Sequence, residues 1–127
     1  MKHIEVVAAI LKEGDTIFAT KRGYGEFINM WEFPGGKVEL GETKEEALHR
    51  EIKEELELNI SIDQFLTTIE YDYPNFHLTM HCFICSVIGG TLKLVEHNDA
   101  TWLTLNRLDS LEWLPADIMV VEQLKSY

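Results

Sequence analysis

Gly35-Gly36-Lys37-Val38-Glu39-Leu40-Gly41-Glu42-Thr43-Lys44-Glu45-Glu46 leads, three residues on, into Arg50-Glu51-Ile52-Lys53-Glu54-Glu55-Leu56. The first stretch reads as a Gly-Gly turn, where backbone can approach a ligand closely. Thr43 and Glu46 have the spacing of a capping box, so a helix starts there and runs to about Leu56. Leu48, Ile52 and Leu56 recur every four residues and form its core stripe. Glu46, Arg50 and Glu54 make an i, i+4 ladder of alternating sign. Glu51, Glu54 and Glu55 fall within a sector of about 100° beside the apolar stripe. Three like charges so close repel one another unless solvent screens them or a cation binds. Hard oxygen ligands select Mg2+ or Mn2+ over zinc. Arg50 lies among them, able to orient a carboxylate through paired hydrogen bonds. The bland alternative is a solvated acidic helix face, with Arg50 in a surface ion pair to Glu46 or Glu54.

Working outward, Ile4 to Leu11 is a continuous apolar, β-branched run, as in a strand buried on both faces. Glu13-Gly14-Asp15 is a turn, and Thr16 to Thr20 completes a hairpin. Trp31-Glu32-Phe33 is short and extended, stopped by Pro34-Gly35. Beyond the helix, Ile60 to Tyr73 reads as extended, interrupted near Asp63-Gln64. Phe76 to Ile88 is a long strand, Gly89-Gly90 turns into a strand over Thr91 to Val95, and Ala100 to Leu103 is another. Leu114-Pro115-Ala116-Asp117 opens a last helix with Ile118, Val121 and Leu124 toward the core and Pro115 in the first turn. The order strands, helix, strands, helix predicts the α/β (α+β) class, with a mixed sheet packed between helices.

The chain has 127 residues, of which 46% are hydrophobic, enough for one core and one domain over 1–127. Its 11 basic and 22 acidic residues leave a net charge of −11, which argues against a nucleic acid polymer as partner. A small anionic substrate is still compatible, since a bound cation inverts the local field. No apolar run approaches the roughly 18 residues that span a bilayer, so no membrane association is expected. Glu5, inside the first apolar run, argues against a signal peptide. Cys82 and Cys85 lie three apart on a strand and point to opposite faces, so they read as buried small residues, not a metal or redox pair. Unpaired thiols suit a reducing, cytoplasmic setting. Phe83, Trp102 and Trp113 belong either to a core or to a dimer contact, leaving monomer and homodimer both open.

Gly36, Glu42 and Arg50-Glu51-Ile52-Lys53-Glu54-Glu55-Leu56-Glu57-Leu58 have the spacing of the Nudix box, G-x5-E-x7-R-E-U-x-E-E-x-G-U, with U aliphatic. The chain therefore resembles the Nudix hydrolases. One position departs: Glu57 stands where the family has the glycine that ends the helix. Ile4 to Ile10, Trp31 to Gly36, Glu70 to Pro74, Phe76-His77-Leu78 and Leu114 to Asp117 resemble the MutT branch, which includes 8-oxo-dGTP diphosphatases and CTP pyrophosphohydrolases. The implied fold is the Nudix α/β/α sandwich.

The resemblance implies roles for matching positions. Glu51, Glu54 and Glu55 would ligate Mg2+, or Mn2+ in its place, with the Gly35 carbonyl as a further ligand. Glu42 would complete the acidic cluster. Glu51 is the first choice of general base on the attacking water, and Arg50 would hold it in place. Glu96, six residues before Trp102, matches a glutamate that helps bind metal or activate water; otherwise it is an ordinary loop acid. Asp117 matches a residue that hydrogen-bonds the base, against the bland reading of a helix-start carboxylate. Phe33, Tyr73 and Phe76 are candidates for stacking on the base or for the core. Arg22 and Lys37 are candidates for phosphate contacts or for surface cations. His97 reads by default as a loop histidine.

The implied reaction is Mg2+-dependent hydrolysis of a nucleoside triphosphate to the monophosphate and pyrophosphate. The substrate would be 8-oxo-dGTP or a CTP/dCTP-type nucleotide, a nucleotide-pool sanitation role that supports DNA repair. The alternatives are a Nudix hydrolase of another diphosphate, such as ADP-ribose, and a non-catalytic nucleotide-binding module.

Overall fold

The computed structural model describes residues 1–127, in which seven strands form one mixed sheet. In chain order the elements are β1 (Lys2–Glu13), β2 (Thr16–Arg22), β3 (Trp31–Glu32), β4 (Gly35–Lys37), α1 (Lys44–Leu56), β5 (Leu58–Tyr73), β6 (Phe76–Gly90), β7 (His97–Thr104), a 3-10 helix (Leu105–Ser110) and α2 (Pro115–Lys125). The path across the sheet is β3-β2-β1-β6-β5, with β4 also on β1 and β7 also on β2. β1 and β6 run parallel, from Lys2 opposite Phe76 to Leu11 opposite Cys85.

The apolar run of β1 is buried on both faces, as its sequence demands. Val7, Ala9 and Leu11 join Leu48, Ile52 and Leu56 of α1 on one side. Ala8 and Ile10 join Ala116, Val120, Val121 and Leu124 of α2 on the other. The two free thiols divide between these clusters, Cys82 with α2 and Cys85 with α1. Trp113 and Phe83 are buried in the core, and the half-buried Trp102 packs on Phe18 at 5.0 Å between ring centroids. No helix is long and apolar enough to cross a membrane.

The edge of β1 opposite β6 is shared between two partners. Val6 to Ala8 pair with β4, whereas Lys12 and Glu13 pair with β2. The sheet therefore parts between β2 and β4, and the functional cleft opens there.

The capping box forms as read: the Thr43 hydroxyl accepts from the Glu46 amide at 3.0 Å and the Glu46 carboxylate from the Thr43 amide at 2.8 Å. That use of Glu46 breaks the expected ladder, which runs from Arg50 to Glu54 alone. Glu57 ends α1 in the left-handed region, φ 57°, the conformation the family's glycine adopts freely. Its amide still donates to Lys53 O at 3.1 Å, so the exit turn is intact.

Four expectations are corrected. Residues 91–95 form no strand, because the amides of Lys93 and Val95 donate instead to the otherwise unpaired Leu56 and Glu55 carbonyls at the end of α1. Gly89 and Gly90 do not turn but extend β6, paired with Asn59 and Leu58. In α2 the buried stripe is Asp117, Val120, Val121 and Leu124, while Ile118 is 48% exposed. The interruption near Asp63-Gln64 is a shift of register between β5 and β6 rather than a break in the strand.

Candidate active site

A cleft of about 560 Å³ is lined by β1, β4, α1, the ends of β2 and β3, the start of β7 and the first turn of α2. Its walls differ in chemistry. One end carries carboxylates, the other aromatic and aliphatic side chains.

The carboxylate end is built on α1. Glu51 and Glu55, one turn apart, both line the cleft. A Cβ at position 36 would collide with the Glu51 carboxylate, so glycine there lets β4 pass directly beneath it. Arg50 fixes the neighbours of this pair. Its Nε donates to Glu42 Oε2 at 2.6 Å, Nη1 to Glu51 Oε1 at 2.8 Å and Glu54 Oε1 at 3.0 Å, and Nη2 to Lys37 O at 2.9 Å and Glu42 Oε1 at 2.9 Å. Arg50 is thus a spacer that fastens α1 to the loop before it, not a loose surface pair. The Arg50 hydrogen bonds hold the Glu42 carboxyl below its ordinary range. Glu42 and Glu54 do not line the cleft, and Glu54 is 59% exposed.

Glu55 is buried in the opposite sense. Its side chain is 7% exposed and Oε2 has no hydrogen-bond partner. Burial first, then the bonded Glu51 carboxylate and the charges of Glu96 and Glu32, push its carboxyl far above the ordinary range. Glu96 lines the cleft from the loop before β7, together with Gly35 and Lys37 of β4.

Three cleft residues carry signals that the sequence motif does not contain. Glu32 on β3 accepts from Arg22 at 2.8 and 3.3 Å. Burial works to raise its carboxyl, but hydrogen bonds from His97 and Arg22 prevail and hold it low. His97 is almost wholly enclosed, its side chain 4% exposed, and is no ordinary loop residue. Tyr24 lines the mouth, and the Glu96 charge is the largest influence raising its hydroxyl. Glu32 could have been read as an acid between Trp31 and Phe33 in a short, half-buried strand. His97 carried no signal beyond its place after Glu96.

At the apolar end, Asp117 accepts from the Phe33 amide at 2.9 Å. Burial raises its carboxyl to about 8, against the Phe33 hydrogen bond and with help from Glu32. Asp117 is therefore protonated in part near neutrality and able to donate as well as accept. Tyr73 and Phe76 stack at 5.0 Å between centroids, and Phe33 stacks on Trp113 at 4.6 Å. The Tyr73 hydroxyl accepts from the Ala116 amide at 3.1 Å, which pins the start of α2 over the cleft. Arg22 reaches the cleft already paired with Glu32, which restricts the phosphate role expected of it.

No three His, Cys, Asp or Glu side chains are placed together so as to hold an ion. The donor chemistry nevertheless fits a hard divalent cation. Glu55 Oε2 is an unpartnered carboxylate oxygen, and the Glu51–Glu55 pair bears repulsion that a cation would relieve.

A NUDIX domain model matches residues 1–124. The chain is 32% identical over 127 residues to the 8-oxo-dGTP diphosphatase of Escherichia coli K12, covering 98% of each chain. It is 32% identical over 123 residues to the CTP pyrophosphohydrolase of the same organism, covering 96% of this chain and 91% of that one. The crystal structure of the MutT NUDIX hydrolase from Burkholderia pseudomallei superposes with a TM-score of 0.88 at 25% identity, over 98% of this chain and 99% of that one.

Proposed function

The chain belongs to the Nudix hydrolase family, and from that premise we propose that it is a Mg2+-dependent pyrophosphohydrolase of nucleoside triphosphates, 8-oxo-dGTP or CTP/dCTP in type. The observation that carries the reading is the two-ended cleft: carboxylates on α1 at one end and, at the other, a buried Asp117 among aromatic rings. The first end suits cation-bound phosphates and the second a nucleobase. The relatives named above support the same substrate class.

Glu51, Glu55 and Glu96, with the backbone of Gly35, are the residues that would hold the cation. The cation supplies neutralisation of phosphate charge and a lowered pKa for the attacking water. Glu51, oriented by the Arg50 Nη1 bond, would accept the proton of the attacking water. Attack at the β-phosphorus releases pyrophosphate and leaves the nucleoside monophosphate. Glu54, held by Arg50 at the rim, is a further donor for the loaded site. Asp117 reads the base edge: ionised it accepts from amino and imino groups, and protonated it also donates. Residues 1–127 act as one catalytic domain, and the two unpaired thiols suit a cytoplasmic setting.

The test is product analysis with Mg2+ on CTP, dCTP, 5-methyl-dCTP, dGTP, 8-oxo-dGTP and ADP-ribose. Monophosphate plus pyrophosphate from one triphosphate class is the expected result. Turnover of ADP-ribose alone would refute the substrate assignment.

A further inference from the structure

His97 reaches the cleft through an irregularity in the sheet. Along β2 and β7, Lys21 stands opposite Asp99 but Arg22 stands opposite His97, so Asn98 is left over as a bulge. A bulge turns the side chains beyond it to the other face of the strand. Here that places His97, which regular pairing would send the other way, on the side of α1 and Glu55. Gly23 permits the close packing this needs, since a Cβ there would meet Glu96 O at 2.6 Å and Asn98 N at 3.3 Å.

The imidazole then stands between two walls. Nε2 is 3.5 Å from Glu32 Oε2 on β3 and 3.6 Å from Glu55 Oε1 on α1. Nδ1 is buried with no hydrogen-bond partner, and so is Glu55 Oε2. A buried, unpaired ring nitrogen is unfavourable, and a phenyl ring of similar shape would carry no such cost. Packing alone therefore gives no reason for a histidine. The carboxylates at Nε2 do.

We propose that His97 is a positioning residue for the cation site: its Nε2 holds Glu55 by Oε1, leaves Oε2 free for a divalent cation, and ties that orientation to the Glu32–Arg22 pair across the cleft. This rests on the reading of Glu55 as a cation ligand. Partners that orient a ligand in this way change metal affinity by about ten- to a hundredfold.

The test uses His97→Phe, which keeps the ring shape, and His97→Gln, whose amide nitrogen reaches the Nε2 position. Mn2+ binding is measured by calorimetry on the nucleotide-free protein, and unfolding by urea in EDTA. His97→Phe is expected to keep a cooperative urea transition in EDTA yet to bind Mn2+ about tenfold or more weakly. His97→Gln should recover most of that affinity. His97→Phe binding Mn2+ within twofold of wild type overturns the proposal, as does His97→Gln binding Mn2+ no better than His97→Phe. Wild-type protein that binds no Mn2+, alongside an equally inert Glu51→Gln, overturns instead the cation-site reading beneath it.

Discussion

Asp117→Asn isolates the one buried carboxyl at the apolar end of the cleft. In the folded protein that carboxyl titrates at about 8; in the unfolded chain it titrates at about 3.9. Between those values the folded state keeps a proton that the unfolded state has released. The stabilising contribution of the protonated form is thus complete below about pH 3.9 and is lost as pH rises through about 8. A rise of about 4 units, at ~1.36 kcal/mol each, sets a ceiling of ~5–6 kcal/mol. Single substitutions deliver about 0.5–3 kcal/mol in practice, so ~2–3 kcal/mol is the expected effect. Asparagine has nothing to ionise, and its side-chain carbonyl can still accept from the Phe33 amide. The difference in unfolding free energy, variant minus wild type, should increase between pH 5 and 8 and level off above. Urea unfolding at unit pH steps from 5 to 9 measures it. Taking the difference cancels the other titrating groups, Glu55 among them. Parallel curves across that range would refute the claim that Asp117 holds its proton in the fold.

Other perturbations test separate parts of the account. Glu57→Gly should stabilise by about 0.5–1 kcal/mol in thermal or urea unfolding, because the left-handed backbone costs a side-chain-bearing residue about 1–2 kcal/mol, partly offset by glycine's entropy; an unchanged midpoint would show that Glu57 is unstrained. Ile52→Ala, at a position with no exposed surface, should cost about 2–5 kcal/mol by the same assay. Arg50→Lys should keep the fold by circular dichroism but lower kcat about tenfold or more, since an ammonium has three donors where Arg50 serves five acceptor contacts; full activity would remove the spacer role.

Much of this was legible in the residues. The capping box and the four-residue apolar stripe placed α1 within a residue at either end. The unbroken apolar run of β1 announced burial on both faces, and the box placed Glu51 and Glu55 on one wall of the cleft. Less legible were features set by partners distant in sequence. Residues 91–95 have β-forming composition, but the open carbonyls at the end of α1 claimed their amides. Glu46 had two plausible partners, and the local one at Thr43 prevailed over Arg50. Ile118 was placed inward because apolar identity alone does not reveal that a buried aspartate, Asp117, occupies the inner face. His97 depends on a bulge one residue away, and no periodicity in β7 signals it.

The central claim is that the α1 carboxylates turn over a triphosphate with the help of a divalent cation. The direct test is pyrophosphate release from CTP and from 8-oxo-dGTP as Mg2+ is raised from zero in the wild type and in Glu51→Gln, with folding checked by circular dichroism. The account predicts no release in EDTA, saturation with Mg2+, and a loss of about a hundredfold or more in Glu51→Gln. Release that persists in EDTA, or that survives intact in Glu51→Gln, would contradict it.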